Sequence, residues 1–451
     1  MIHKYSMNGF NIVLDVNSGA VHVVDDIVFD VLDFYEEKNK NTSEIAKILK
    51  DKYSEQSVIE AVCEISELEK KGMLFSKDIY EDVLPEIEKR NPVVKALCLH
   101  IAHDCNLKCR YCFAHEGEYH GKRSLMSFDT GKRAIDFLIK ASGVRKNLEV
   151  DFFGGEPLMN FDTVKQIVDY ARSVEKENNK NFRFTITTNG ILLNDDILEY
   201  INQNMHNVVL SIDGRKEIND NMRVRAGGQG SYDTIVPKFK KVAESRGQKD
   251  YYVRGTFTKN NLDFSKDVLH LADLGFRQIS VEPVVADEKE SYSLKKEDLP
   301  LLFEEYEKLA KEMIKRKKEG GDFNFFHFMI DLTGGPCVAK RLAGCGSGSE
   351  YLAVTPEGDL YPCHQFVGME NFKMGSVYEG NLDMKIRAEF ENLNVYSKPE
   401  CRKCWAKFYC SGGCAANSFN TNGDFVTPYE IGCELQRKRT ECAIMIKVAE
   451  N

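Results

Sequence analysis

What is missing from these 451 residues narrows the field first. No apolar run reaches the roughly 18–20 residues that a membrane span requires. The opening stretch, Met1 to Ala20, has no basic segment leading into an apolar core, so it does not read as a secretory signal. A cytoplasmic protein that uses no membrane is expected. Positive charge is not in excess either: 61 Lys and Arg stand against 70 Asp and Glu, a net −9. A nucleic-acid partner usually needs a basic face, so none is expected. The local basic stretch at Lys311, Lys315, Arg316, Lys317 and Lys318 reads as the solvated end of a long helix. Repeats and low-complexity tracts are absent. With 42% apolar and 29% charged residues, the composition is that of a globular chain, too long for one core, so two or three domains are expected.

Cysteine is what the chain has in quantity. Of its 14, all but Cys63 fall into two groups. The first is Cys98, Cys105, Cys109 and Cys112; the second runs from Cys337 through Cys442. A reducing cytoplasm disfavours disulfides, so clustered cysteines there point to metal or redox chemistry. Cys98, inside a strand, and Cys63, on an apolar helix face, read as buried small apolar residues. Cys442 reads as helix packing.

Along the chain, residues 1–83 form a small module. Phe10 to Leu14 and Ala20 to Val24 flank the turn signal Asn17-Ser18-Gly19, which predicts a hairpin. Helical patterns follow over 26–37, 42–53 and 56–71. Strands followed by three short helices suggest a winged helix. A charged linker covers 84–92. From 93 to 290, strands and helices alternate. The strands are 96–102, 148–153, 182–187, 208–212, 251–257 and 278–284, an α/β pattern that fits a partial (β/α)6 barrel. Chemistry in such barrels sits at the C-terminal strand ends. A bridging region, 291–336, contains a long charged helix, 297–318. The last part, 337–451, is rich in glycine and cysteine and needs metal to hold it.

Cys105, Cys109 and Cys112 have the spacing C-x-x-x-C-x-x-C directly after the first barrel strand. Three thiolates on a tight loop can ligate three irons of a cubane and leave the fourth open. Structural zinc, with His103 or His115 as fourth ligand, is the alternative on spacing alone. Gly154-Gly155-Glu156-Pro157 closes the second strand, Thr188-Asn189-Gly190 the third and Ser211-Ile212-Asp213-Gly214 the fourth; Arg254 lies on the fifth.

Together with Tyr111, this order resembles the signature of the radical S-adenosylmethionine (SAM) superfamily. The resemblance implies that a [4Fe–4S] cluster on Cys105, Cys109 and Cys112 binds SAM and cleaves it to a 5′-deoxyadenosyl radical. It implies SAM contacts from Tyr111, Gly154, Gly155, Glu156, Pro157, Asn189, Ser211 and Asp213, with Arg254 a partner for the carboxylate. Glu156 is expected to favour the ammonium group, and the glycines to let backbone approach the ligand.

The second cysteine group resembles the SPASM domain, which has two auxiliary [4Fe–4S] clusters. That implies Cys345, Cys363 and Cys414 on the first and Cys401, Cys404, Cys410 and Cys433 on the second. Cys337 either completes the first cluster or leaves an iron open for a substrate thiolate. The N-terminal module resembles the recognition element of ribosomal-peptide (RiPP) maturases, which captures a leader peptide by strand addition. As a whole the chain resembles the maturases of SCIFF peptides, which form sactipeptide-type thioethers. Cys345 to Tyr351 and Tyr361 to Phe366 are the closest local match. The implied partners are a cysteine-rich precursor peptide and a low-potential electron donor; the implied setting is an anaerobic bacterium. The implied cofactors are SAM and three [4Fe–4S] clusters. His364, after the Tyr-Pro-Cys cysteine, is either a general base or a structural hydrogen-bonder. The competing activity is that of anaerobic sulfatase maturases, which oxidise Cys or Ser to formylglycine. That family's catalytic aspartate finds no clear counterpart here. A non-catalytic metal-cluster scaffold that binds peptide is the alternative from another class.

Overall fold

Ile2–Met7 (β1), Phe10–Asp15 (β2) and Val21–Val24 (β3) form an antiparallel sheet ordered β1-β2-β3, and Ile12, Val13 and Leu14 are buried in succession, so both faces of the central strand are covered. The structure is a computed structural model; it describes residues 1–35, 41–88, 92–119, 121–333 and 338–450. Three helices cover the sheet: Asp26–Tyr35 (α1), Thr42–Ile48 (α2) and Glu55–Lys70 (α3). Val13, Val31, Leu32, Ile45, Val58 and Ile65 form their common core. Asn41 and Glu44 close a capping box that starts α2. The hairpin and three helices appear in the order read from the sequence, but α2 stops at Ile48 where the pattern runs to 53, and residues 36–37 of the first helix reading lie outside the described residues; β1 is an addition. Cys63 is a correction. It lies on α3 but is exposed, because the buried stripe of that helix is Val58, Ala61 and Ile65. Of the linker expected over 84–92, Tyr80–Glu88 forms a helix, and 89–91 lie outside the described residues.

The barrel strands are Ala96–His103 (β4), then Asn147–Gly154 (β6), Asn181–Thr188 (β7), Asn207–Ser211 (β8), Tyr251–Phe257 (β10) and Gln278–Pro283 (β11). Each pairs parallel with the next. Between β4 and β8 lie Leu107–Cys109 (β5) and, after β8, Arg223–Arg225 (β9), which pair with each other antiparallel. Helices Phe128–Ala141 (α4), Phe161–Glu175 (α5), Asp195–Asn204 (α6), Tyr232–Ser245 (α7) and Ser265–Asp273 (α8) cover the outer face. Strand alternation divides the side chains. Leu148, Val150 and Phe152 of β6 are fully buried, and the Phe152 and Phe184 rings stack at 5.6 Å. Phe153 points the other way, into the cavity described below. A buried aromatic of this kind contributes roughly 1.5–3 kcal/mol. All eight residues of β4 are buried, which fixes the strand that leads into the cysteine loop.

The glycine- and cysteine-rich part is not a separate body. After the long helix Leu299–Lys318 (α9), strand Tyr351–Val354 (β12) pairs parallel with β4. Asp359–Tyr361 (β13) pairs antiparallel with β12, so the barrel sheet runs on into this region as one twelve-stranded sheet. The last helix, Glu430–Glu450 (α10), packs along α9. Cys98 and Cys442 are buried, as expected. Cys337 lies outside the described residues.

The N-terminal module is fastened to this last part. The His3 ring stacks on Trp405 at 3.7 Å and bonds Glu441 at 3.0 Å, and Tyr5 donates to the Glu441 carbonyl at 2.9 Å. Asp78 accepts from buried Lys407 at 2.7 Å and from Tyr396 at 2.8 Å. These contacts seat β1 beside the Cys401–Cys410 loop. Strand β3 remains an edge of its sheet.

A cysteine-lined candidate active site

The loop after β4 ends in β5, whose register sets Arg223 directly opposite Cys109. Cys105, Cys109 and Cys112 all line one cavity of about 530 Å³ at the C-terminal ends of the barrel strands. Burial pushes the Cys105 and Cys109 thiols up to about 12. Two buried thiols of this kind become thiolates when a metal takes them. Donors already face their sulfurs. The Leu107 N–H is 3.4 Å and Asn189 Nδ2 3.7 Å from Cys105 Sγ, and Arg223 Nη1 is 4.0 Å from Cys109 Sγ. N–H groups aimed at sulfur fit an iron–sulfur cluster.

The glycines of Gly154-Gly155-Glu156-Pro157 act on the loop itself. A Cβ on Gly154 would stand 2.4 Å from the Ala102 carbonyl oxygen, and one on Gly155 2.1 Å from that of Asp104. Their hydrogen is needed for β6 to pack against the start of the cysteine loop, while both residues also line the cavity. Glu156 departs from expectation. Its carboxylate is fully buried and accepts from Asn189 N at 2.8 Å, Thr188 Oγ1 at 2.7 Å and Leu158 N at 3.0 Å. Neither Glu156 nor Pro157 lines the cavity; Glu156 braces the strand ends. Burial pushes its carboxyl up to about 7 against those bonds.

Asp213 is likewise turned inward. It takes Tyr111 OH at 2.8 Å, Arg223 Nε at 3.0 Å and the Thr256 N–H at 3.0 Å. Tyr111, Asn189, Ser211 and Arg254 do line the cavity. Arg254 pairs with Glu282 at 2.8 Å. Arg223 is the residue that sequence reasoning missed. Its position depends on the β5–β9 pairing, which only the folded chain reveals.

The second cysteine group divides in two. Cys363 and Cys414 each feel Cys345, and Cys363 also feels Cys414. Cys401, Cys404, Cys410 and Cys433 feel one another and line a second cavity of about 70 Å³, with Arg437 Nη1 3.8 Å from Cys404 Sγ. Cys410 and Cys433 line both cavities, and Cys414 the larger one. The larger cavity therefore lies between the first cysteine loop and part of the second group. His364 lines it too, 5.5 Å from the Phe113 ring and 5.2 Å from Phe153, with Tyr351 OH 3.4 Å from Nδ1. Burial, then Arg254, pushes its pKa down to about 4, so the imidazole is neutral and a weak base.

Residues 99–256 match the Radical SAM superfamily, and residues 345–405 match SPASM, an iron–sulfur cluster-binding domain. The cysteine-type anaerobic sulfatase-maturating enzyme of Clostridium novyi (strain NT) is 25% identical over 334 residues, 70% of this chain and 86% of that protein. The solved structure of native anSMEcpe with bound AdoMet and Kp18Cys peptide aligns at TM-score 0.64 and 20% identity, over 79% of this chain and 99% of that one. SuiB of Streptococcus suis, solved with precursor peptide SuiA, aligns at TM-score 0.55 and 16% identity, over 95% of this chain and 98% of that one. The two structures share the fold with this chain. The SuiB likeness extends over nearly all of it, so most of the N-terminal module is included.

Proposed function

The chain belongs to the radical SAM superfamily and carries a SPASM domain, and from that premise we propose that it is a peptide maturase forming intramolecular thioethers in a cysteine-rich precursor. The observation that supports this most is the single cavity lined by Cys105, Cys109 and Cys112 and also by Cys410, Cys414 and Cys433. A peptide side chain held there lies between two sets of cluster ligands. In this reading Cys105, Cys109 and Cys112 hold the SAM-binding cluster. Cys345, Cys363 and Cys414 hold the first auxiliary cluster, with Cys337 its open question, and Cys401, Cys404, Cys410 and Cys433 the second. When bound, SAM and its cluster supply a 5′-deoxyadenosyl radical that takes a hydrogen atom from carbon, while the auxiliary clusters accept the remaining electron.

The chain's own residues do the rest. Gly154, Gly155, Asn189 and Ser211 form the wall against SAM, and Arg223, paired with Asp213, aims an N–H at Cys109. Glu156 and Asp213 hold that wall rigid from behind. Phe113, Phe153 and His364 exclude water from the reacting carbon. The edge strand β3 offers unpaired backbone groups for a leader peptide, which binds by strand addition. A cysteine thiol of the substrate loses its proton, and its sulfur closes on the carbon that lost hydrogen. The crosslinked peptide is thus lighter by two hydrogens.

Co-expression with a small cysteine-rich precursor, followed by mass spectrometry, tests the reading. A loss of two hydrogens with the peptide fragments still joined supports it. An aldehyde at one residue favours the second reading, formylglycine formation, to which the Clostridium novyi relative points. Failure to release 5′-deoxyadenosine from SAM, with zinc in place of iron, would sink both.

A further inference from the structure

Charge in the large cavity is uneven. Arg223 is neutralised by buried Asp213 at 3.0 Å. The far wall is formed by β10, β11, the turn at Phe326–Phe328 and α10, and it is different. It presents Arg254 and Arg439, with Glu282 the sole carboxylate among the described residues that line the cavity. Between them sits His327. Arg439 Nη1 lies 3.1 Å from His327 Nδ1, which must therefore accept. The ring proton is then on Nε2, 3.2 Å from Ser280 Oγ and 3.9 Å from Glu282 Oε1. Burial, then Arg439, pushes the imidazole pKa down to about 3, so it adds no charge. Two guanidiniums face one side-chain carboxylate on this wall.

Donors are in surplus as well. Arg254 gives Nη2 to Glu282 at 2.8 Å and has no other hydrogen-bond partner among the described residues. Arg439 lines the same wall, its Nη1 already given to His327. The Arg254 side chain is half exposed to the cavity, so its free N–H groups can receive an acceptor there. A carboxylate satisfies both the charge and the planar, forked geometry of arginine.

We propose that Arg254 and Arg439 form a subsite for the carboxylate of an acidic side chain in the substrate peptide. This rests on the peptide-maturase reading. It also moves Arg254 away from the SAM carboxylate, its expected partner in the sequence. In the sheet, β10 and β11 lie four and five strands away from β4. The SAM carboxylate belongs at the cysteine loop, where Arg223 already stands 4.0 Å from Cys109 Sγ. The class of substrate is then a precursor with Asp or Glu close to the crosslinked carbon.

The test uses cluster-loaded full-length protein and two fluorescent cysteine-containing peptides that differ only in Asp against Asn. Anisotropy under argon should show the Asp peptide binding about tenfold tighter, the usual worth of a charge-assisted bidentate pair. Arg254→Gln and Arg439→Gln should abolish that preference. Glu282→Gln should enlarge it by freeing Arg254, an effect of opposite sign that misfolding cannot imitate. SAM affinity is measured separately. No preference in the unaltered protein, or a preference that survives Arg254→Gln, overturns the proposal. Weaker SAM binding in Arg254→Gln, with the peptide preference intact, also overturns it and gives the carboxylate to SAM. Product mass reads the reaction independently. Crosslinking without an Asp preference defeats the subsite alone, and an Asp preference with an aldehyde product defeats the thioether reading alone.

Discussion

Glu156 holds three donors with two oxygens, so its replacement has a definite cost. In Glu156→Gln one oxygen becomes an NH₂ that must face a donor. We expect a loss of about 1–3 kcal/mol, read as a lower melting temperature of the cluster-loaded protein. Gly155→Ala should act on metal rather than on the fold. Its Cβ would meet the Asp104 oxygen at 2.1 Å and push the cysteine loop away from β6. Iron content should fall by about four of the roughly twelve expected for three cubanes, and 5′-deoxyadenosine production should stop. Cysteine spacing and the glycine pair were legible in the sequence because both are local along the chain. The direction in which Glu156 and Asp213 point was not, since acidic residues at strand ends can face ligand or backbone equally well. Arg223 was invisible because a three-residue ladder, β5 with β9, joins positions over a hundred residues apart.

The six barrel strands fall within one residue of the ranges read from the sequence, because runs such as Leu148 to Phe153 are buried on the helix side at every second position. β1 escaped notice, since His3, Lys4 and Ser6 dilute its apolar signal and its outer side chains serve a contact with distant α10 and Trp405. That contact should be sensitive to acid. Burial alone would raise the Asp78 carboxyl, but Lys407 and Tyr396 outweigh it and hold the pKa below the ordinary value. Burial would also raise Glu441, and His3 and Lys438 hold it down. A lowered folded-state pKa gives stability that is complete above the unfolded value of about 4 and is lost as pH falls through the lower folded value. Docking of the module should therefore be level near neutrality and fail on acidification below about pH 4. Emission of Trp405, the only tryptophan, reports it, because the His3 ring lies on that indole. Asp78→Ala should do the same at neutral pH by stranding the buried Lys407 charge, at about 3–5 kcal/mol.

The barrel and the cysteine-rich part are joined by one sheet that begins in the barrel and ends beyond β13. Because β12 pairs with β4, the strand before the cysteine loop is fixed from both sides. The order of the three parts could be read from composition; their fusion through β4 could not, as a four-residue strand gives almost no signal. Removing residues 1–83 should abolish leader binding, measured with a labelled precursor. It should leave reductive SAM cleavage measurable, since none of the described residues among them lines the large cavity.

Cys410 and Cys433 stand in the wall common to the two cavities. A small oxidant that enters by the large cavity meets these sulfurs as readily as Cys105. Air should then strip iron from both regions in step, not from the radical-generating loop first. Under the proposed function the opening through which substrate enters is also where oxygen can ruin the protein, and the two vulnerabilities cannot be separated by mutation of either cysteine set alone.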